Sequence, residues 1–263
     1  MRAFFEWLES EARGAGATRI ALSFAVFFIA WQLLALLVTN TMIMAPPLAV
    51  FKSLWVETQS GAMWKHALAT VGVVLFSFPV AVLLGVMIGL ALASSKLMTL
   101  TAGPLLTALY SVPVVALAPL FISWLGLGLA SKFVIVVLVA IFPVIVSTEV
   151  ALRSTDAHLI EAARSFNASR AQIFTTVTFP FAVPFIVGGV RVAWARALVG
   201  VVVAEFFGAF AGFGFAILAA GQTFDTPVLL GYVFVLGILG LLGSVLLRAL
   251  ERHLAPWREE LGQ

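Results

Sequence analysis

The sequence predicts an all-α membrane protein with six transmembrane helices. Of its 263 residues, 62% are hydrophobic and only 10% are charged, whereas soluble domains have about half apolar and about a quarter charged residues. The mean hydropathy is +1.13. A window of about 19 residues selects six apolar stretches that are long enough to cross a bilayer. These stretches are residues 20–38, 67–93, 101–124, 133–152, 181–207 and 228–247.

The segments around the first two spans have helical patterns of their own. Residues 3–12 place apolar side chains opposite three glutamates, as a short helix on the membrane surface would, although a frayed terminus fits equally well. No small-residue cleavage site follows the first span, so we expect no cleaved signal peptide. Between the first two spans, Pro46-Pro47 precede four apolar residues at helical spacing. That pattern predicts a short external helix at the bilayer edge.

The third span contains Pro104, Pro113 and Pro119. Proline removes a backbone hydrogen bond and kinks a helix. In membranes such breaks are tolerated because neighbouring helices satisfy the freed backbone groups. We therefore expect this span to be broken or bent.

Positive charge is distributed unevenly between the two ends of the predicted spans. Cytoplasmic flanks are enriched in Lys and Arg, so we expect the richer set, and both termini, to be cytoplasmic. The richer set is Arg2, Arg13, Arg19, Lys96, Arg153, Arg164, Arg170, Arg248, Arg252 and Arg258, and the poorer set is Lys52, Lys65 and Lys132. This bias accounts for the net charge of +3, so the charge gives no reason to expect nucleic-acid binding.

A polar stretch, residues 156–180, separates the fourth and fifth spans on the predicted cytoplasmic side. Thr155 or Asp156 can cap the start of a first helix, and a carboxylate there also suits the helix dipole. An apolar stripe follows at helical spacing, formed by Leu159, Ala163 and Phe166. The first half of the stretch therefore predicts a short amphipathic helix.

The second half of this stretch predicts a tight turn and another helix. Asn167 follows the first helix, at a position that usually needs a positive φ, and Asn is the best residue there after Gly. Ser169 and Gln172 fit a capping box that begins the second helix. Phe179 precedes Pro180, which disfavours helical geometry at Phe179. We therefore expect the second helix to end at this point.

Most of this polar stretch forms a sequence motif with defined spacing. Residues 161–180 read EAARSFNASRAQIFTTVTFP: Glu-Ala-Ala, then three residues and Asn167, then nine residues and Val-x-Phe-Pro. This spacing resembles the EAA signature of bacterial ABC importer permeases, where Gly stands at the position of Asn167 and Ile-x-Leu-Pro closes the motif.

The resemblance implies a cytoplasmic coupling helix that docks in a groove of an ATP-hydrolysing subunit. Glu161 would be the polar anchor, and Ala162 and Ala163 would permit close approach. Arg164 and Arg170 would be available for carboxylates on the partner. An ordinary amphipathic surface loop without a partner is the alternative.

The similarity extends over about residues 45–250. It includes YSVPVVALAPLFISWLGLG around Ser111, AWARALVGVVVAEF from Ala193, and a Gly-Phe-Gly that follows Glu205. These stretches resemble the permeases of nitrate, sulfonate, taurine and thiamine-precursor importers. The implied fold is that of type I ABC importer permeases (MetI-like). It divides the chain into a cytoplasmic amphipathic segment, a six-helix permease domain and a cytoplasmic tail, which are residues 1–19, 20–250 and 251–263.

The resemblance also implies the partners. A second copy of the chain, a dimer of ATP-binding cassette ATPases and a periplasmic solute-binding protein would complete the importer in the bacterial inner membrane. The chain has no GxxxxGK[ST] sequence, so ATP and Mg would bind the partner ATPase, and we expect neither enzymatic activity nor a cofactor here. The implied cargo is a small sulfonate-, taurine- or nitrate-like anion, or a thiamine pyrimidine precursor.

Four ionisable residues fall inside or at the ends of predicted spans: Glu149, Arg191, Arg196 and Glu205. Such residues are costly in a membrane unless they are paired or face water. Arg196 lies near mid-bilayer depth, so we expect it to face the bundle interior or a cavity, with Glu205 or Glu149 as its partner. It would then be either a structural ion pair or an anion-attracting site on the pathway. Other candidates to line a passage are Ser111, Pro113, Ser123 and Ser147. Equally, Ser hydroxyls in membrane helices commonly bond to the backbone of their own helix.

Other kinds of membrane protein fit the sequence less well. A self-contained channel or secondary transporter usually shows internal repeats or converging midplane carboxylates, and neither is evident. An intramembrane enzyme would need paired catalytic groups inside the spans, and none of the three His lies within a predicted span. For the same reason, we expect no metal site.

The predicted orientation can be tested by cysteine labelling, because the chain contains no native Cys. In intact cells, a membrane-impermeant thiol reagent should modify a cysteine placed near Asp225 and leave Arg258→Cys unmodified. Labelling of Arg258→Cys from outside would contradict the cytoplasmic assignment of the C-terminus.

Overall fold

A computed structural model describes residues 16–38, 40 and 42–255, with side chains from residue 21 onward. The predicted amphipathic segment at residues 3–12 and most of the predicted tail lie outside the described residues. Every regular element within the described part of the chain is helical. These elements are α1 (Gly16–Leu37), α2 (Pro47–Gln59), α3 (Ala62–Ser94), α4 (Lys96–Ser111), α5 (Ala118–Leu125), α6 (Leu129–Arg153), α7 (Ala157–Ser165), α8 (Arg170–Ile173), α9 (Phe179–Gly208), α10 (Phe213–Gln222) and α11 (Thr226–Leu254).

Four helical stretches among the described residues are long and apolar enough to cross a membrane. They are α3, α6, the continuous stretch from α8 to α9, and α11. Helix α4 and the stretch Val114–Leu125 that ends in α5 are bent by 71° relative to each other and would give a fifth span if they cross the membrane as one unit. The predicted bend in this part of the chain is confirmed. Within α1, Ala21–Leu37 is a shorter apolar helix. The sixth span therefore stays a prediction.

Helix α6 is the centre of the bundle, and it packs closely against α3 on one side and α9 on the other. Small residues permit these contacts. A Cβ at Gly85 of α3 would lie 2.7 Å from the Val144 side chain, and a Cβ at Gly189 of α9 would lie 2.4 Å from Ser147 Cβ. Without a hydrophobic driving force in lipid, such close backbone approach is a main source of helix association.

Helix α11 packs against another side of α9. The Trp194 indole N–H donates a hydrogen bond to the Gly240 carbonyl (3.1 Å). The short helix predicted after Pro46-Pro47 is present as α2, which begins at Pro47, buries Val50 and packs mainly against α11 and α3. Its position outside the membrane stays a prediction. Helix α11 runs to Leu254, past the predicted domain boundary at residue 250.

The connection from α6 to α9 differs from the sequence expectation at one residue. Phe179 is helical, with φ −67° and ψ −48°, so the prediction that proline ends the second helix here was wrong. Residues 174–178 form a π-helical turn, and the Phe179 N–H bonds to the Phe174 carbonyl. The wider turn moves the carbonyls that the Pro180 ring would otherwise meet. As a result, α8 continues directly into α9.

The close approach of α6 and α9 gives a stability prediction with a neighbouring control. Gly189→Ala places a Cβ against Ser147, whereas a Cβ at Gly188 meets nothing within 4 Å. Overpacking costs about 1–3 kcal/mol, so Gly189→Ala should lower the thermal unfolding midpoint of the purified chain in detergent. Gly188→Ala should leave the midpoint unchanged. Equal midpoints for the two variants would contradict this packing.

Candidate functional site

The start and the end of α7 are fixed by local hydrogen bonds. Asp156 is the N-cap, and its carboxylate accepts a hydrogen bond from the His158 N–H (2.8 Å), as expected from the sequence. Beyond the helix, Asn167 has a φ of 60°, which confirms the left-handed position. The Asn167 N–H bonds to the Arg164 carbonyl and the Ala168 N–H to the Ala163 carbonyl. These two bonds form a Schellman motif that satisfies the last carbonyls of α7.

The predicted capping box at the start of α8 is also present. The Gln172 N–H donates to Ser169 Oγ (3.3 Å), and the Ser169 N–H donates to Gln172 Oε1 (2.8 Å). Helix α7 is therefore separated from α8 by a turn of defined geometry. The hydrogen bonds that end α7 and begin α8 all join residues that are close together in the sequence.

The surface of α7 is open over most of its circumference. Glu161, Ala162, Arg164 and Arg170 are exposed, and Ala163 is half-buried. Two large apolar side chains of the predicted stripe are also uncovered: Leu159 is 47% exposed and Phe166 is 88% exposed. No other described segment of the chain covers this stripe. An uncovered aromatic side chain next to charged residues is typical of an interaction surface.

Two of the four predicted intramembrane charges lie in ion pairs that the sequence did not assign. Arg191 pairs with Glu251, which is 9% exposed and lies on α11. Glu149 lies 3.4 Å from Arg153 on the same helix. Arg153 also donates to the Leu92 carbonyl (3.2 Å) and to Thr99. These contacts join α6 to α3 and α4, and α9 to α11, in the half of the bundle that carries α7.

Glu205 is completely buried near the other end of α9. Its carboxylate accepts hydrogen bonds from the Thr70 hydroxyl (2.8 Å) and from the Gly214 N–H (2.8 Å). Thr70 Oγ1 in turn accepts from the Phe213 N–H (2.7 Å). Because Phe213 and Gly214 begin α10, side chains from α3 and α9 satisfy the first N–H groups of this short helix.

Further polar contacts connect the residues around Glu205 to α2 and α11. His66 Nδ1 accepts a hydrogen bond from the N–H of Gly212 (3.0 Å), the residue before α10. The Tyr232 hydroxyl, on α11, donates to Glu57 Oε2 (2.5 Å) on α2. The His66 and Tyr232 rings meet edge to face, with centroids 5.5 Å apart. Glu205 is thus part of a network that joins α2, α3, α9, α10 and α11.

Arg196 has neither of its predicted partners. Glu205 is occupied by Thr70 and α10, and Glu149 pairs with Arg153. Among the described residues, Arg196 makes no hydrogen bond or ion pair, and its side chain is exposed rather than turned to the bundle interior. The expected intramolecular ion pair of Arg196 is therefore wrong. The partners were assigned by depth along the sequence, which does not specify the direction around the helix axis.

Several residues of the site were not predicted from the sequence. Thr70 and His66 looked like ordinary members or flanks of a span, and Glu251 lay beyond the predicted end of the last span. Lys132 was assigned to a flank, but only 8% of it is exposed. One signal was available: the Gly-Phe-Gly after Glu205 marks a place where the backbone approaches closely, since a Cβ at Gly212 would lie 2.2 Å from the carboxyl carbon of Glu205.

Residues 81–260 match the family described as binding-protein-dependent transport system inner membrane component. The chain belongs to this family. The match includes the open α7 surface, the turn at Asn167 and Glu205 itself, whereas Thr70 and His66 precede the matched residues. The predicted membership among ABC importer permeases is therefore confirmed.

Curated relatives extend the similarity over most of the chain. The riboflavin transport system permease protein RibX of Chloroflexus aurantiacus is 36% identical over 82% of this chain and 80% of its own length. The taurine transport system permease protein TauC of Escherichia coli is 32% identical over 88% and 86%. The formylaminopyrimidine transport permease protein ThiX of Halalkalibacterium halodurans is 28% identical over 91% and 95%. These relatives agree with the predicted sulfonate, taurine and thiamine-precursor branch.

A solved structure supports the fold. A chain from an inward-facing methionine ABC transporter, MetNI, superposes with a TM-score of 0.64 at 20% identity. The superposition covers 75% of this chain and 98% of that chain. The MetI-like fold expected from the sequence is confirmed by this likeness.

The network around Glu205 gives a stability prediction. Glu205→Ala leaves the Thr70 hydroxyl and the Gly214 N–H buried without an acceptor, and each orphaned group costs about 1–3 kcal/mol. The free energy of unfolding, measured by detergent titration, should fall by about 2–4 kcal/mol. Glu149→Ala removes only a partly exposed pair and should cost less than about 1 kcal/mol. Equal losses for the two variants would show that the network does not stabilise the fold.

Proposed function

We propose that this chain is the membrane-spanning permease subunit of an ATP-driven importer. Two copies would form the translocation pathway for a small solute that a periplasmic binding protein delivers. The observation that carries the proposal is the open, well-defined surface of α7, placed directly between α6 and α9. Family membership supports the importer class, and the α7 surface supports a partner at this end of the bundle.

The shape and chemistry of α7 suit insertion into a groove on another protein. Phe166 and Leu159 provide apolar contact area, and the short side chains of Ala162 and Ala163 permit close approach. Glu161 lies on the same short helix and is exposed. A partner would remove the apolar surface from water and pair the charge, the two terms that stabilise most protein interfaces.

The connections of α7 suit the transmission of force. A turn at Ser154 and Thr155 joins α7 to α6, while a capping box and a π-helical turn lead through α8 into α9 without a break. Displacement of α7 would therefore move α6 and α9 as packed bodies. We infer that a partner ATPase binds ATP and Mg and that its closure alternates the pathway between its two openings, a rigid-body transition.

The orientation and the cargo follow from the same proposal. The end of the bundle that carries α7 would face the cytoplasm, where ATP is available, and the end with α10 would face the periplasm. The cargo would be a sulfonate-, taurine- or nitrate-like anion or a thiamine pyrimidine precursor, since relatives are named for taurine and formylaminopyrimidine. The ligand pocket of the binding protein encoded beside this chain would decide between them.

A bulky residue in α7 tests the docking surface. Ala163→Trp should prevent close approach, so the variant should lose co-purification with the ATPase and solute-stimulated ATP hydrolysis in lipid. A matched control is Ala130→Trp, at an exposed alanine near the start of α6, at the opposite end of the bundle. Full complex formation and full coupling with Ala163→Trp would contradict the docking role.

A second change in the same segment separates docking from local folding. Asn167→Gly replaces the left-handed residue with one that adopts positive φ at no steric cost. Complex formation should stay normal, and stability should be equal or slightly higher. A loss of ATPase binding in Asn167→Gly would show that the Asn side chain itself contacts the partner.

A further inference from the structure

Arg196 lies far from both ends of α9. It is 12 residues before Gly208 and 17 residues after Phe179, or about 18 Å and about 26 Å of helix rise. A charge at this depth is tolerated only when protein groups or water surround it. In the described chain no group pairs with it, although Arg191 on the same helix has a dedicated carboxylate in Glu251.

The exposed face around Arg196 is continuous. Val192 and Val199 lie four residues before and three residues after it, so all three share one face of α9. Val192 is 53% exposed and Val199 is 51% exposed. Lipid alone suits the two valines but not the arginine between them. The environment of this face must therefore include water, another protein surface or a solute.

The break between α4 and α5 lies at the same depth. Val114, in the 3-10 turn Val114–Leu117, packs on a buried cluster that includes Phe142 of α6. Phe142 lies between the α6 residues that meet Gly189 and Gly200 of α9, and Arg196 lies between those two glycines. The turn also contacts α9 itself.

This break offers polar groups at the level of Arg196. Ser111, Val112 and Pro113 are exposed, and α4 ends at Ser111. Discontinuous membrane helices place free backbone groups at the bilayer midplane, and transporters use such breaks to bind their solutes. An unpaired guanidinium and a break in a helix thus lie at the same depth of the bundle, and the turn at the break contacts the helix that carries the guanidinium.

We propose that this face of α9 lines the translocation pathway and that Arg196 attracts the anionic group of the solute. The chemistry fits a sulfonate or another oxyanion, because the planar guanidinium donates two parallel hydrogen bonds to paired oxygens. This inference rests on the proposed importer function and narrows its cargo to anions. Arg196 provides the positive charge, and the exposed turn before Val114 provides neighbouring polar backbone.

The absence of native Cys permits a test that needs no knowledge of the cargo. Val199→Cys is reacted, in open membrane fragments containing the permease with its ATPase, with two hydrophilic thiol reagents of similar size. One is the anionic sulfonatoethyl methanethiosulfonate, and the other is the cationic trimethylammonioethyl methanethiosulfonate. Rates are normalised to those at Gln222→Cys, an exposed position at the end of α10.

The anionic reagent should react at least about threefold faster than the cationic one at Val199→Cys after normalisation, as expected for one unit charge about 8 Å away in water. Adding Arg196→Gln should abolish this preference, and adding Arg196→Lys should preserve it. Arg248→Gln, which removes an exposed charge from α11, should leave the preference intact. Labelling at Gln222→Cys in each Arg196 or Arg248 background checks that the variant is present in the membrane, and co-purification with the ATPase checks that it is assembled.

Three results would overturn the inference. Protection of Val199→Cys from both reagents would place this face against lipid or a second copy of the chain. Equal normalised rates, or a preference that survives Arg196→Gln, would show that Arg196 does not attract anions. The proposed importer function is tested separately by Ala163→Trp on α7, far from Arg196, so either proposal can fail while the other stands.

Discussion

The close packing of α6 against α3 and α9 is the constraint on which the rest of the structure depends. In lipid, apolar side chains gain little by leaving one apolar environment for another, so backbone proximity and good van der Waals fit must hold the helices together. The glycines on α3 and α9 provide that proximity at Gly85, Gly89 and Gly189, where a Cβ would overlap α6 side chains. Helices fixed at this distance behave as a unit.

This packing determines which helices a displacement of α7 would affect. Helix α7 lies between the two helices that pack most closely, and its own ends are set by Asp156, Asn167 and the capping box at Ser169. It is short, its ends are defined by local hydrogen bonds, and most of its surface is open. Under the proposed coupling role, it would move as a body and carry α6 and α9 with it. Near the other end of α9, the buried carboxylate of Glu205 ties that helix to α3 and α10.

Two arginines of α9, Arg191 and Arg196, differ in their partners although both lie in the same membrane-spanning helix. Arg191 and Arg196 lie five residues apart on one helix and face different directions. Arg191 meets Glu251 across the contact with α11 and serves the packing of the bundle. Arg196 is exposed at mid-depth on a face that no described segment covers. The same cost of burying charge explains both positions, since one is neutralised inside the fold and the other needs a watery surface.

Local signals in the sequence were sufficient for the features that depend on neighbours along the chain. Asp156, Asn167 and the Ser169 capping box were predictable because caps and turns involve residues only a few positions apart. Partner choice was not predictable, because the direction of Arg196 around α9 and the approach of Glu205 to α10 arise from tertiary packing. The helical conformation of Phe179 was also not predictable, since a π-helical turn relieves the restriction that the following proline normally imposes.

The most direct measurement of the proposed coupling role is amide hydrogen exchange of the full chain in lipid nanodiscs, alone and assembled with the proposed partner ATPase. Amides of α7 and the turn at Asn167 should exchange at least about tenfold more slowly in the complex, while the exposed end of α10 should be unchanged. Unaltered exchange in α7, in a complex that still couples ATP hydrolysis to transport, would contradict the assignment of this surface as the site of ATPase docking.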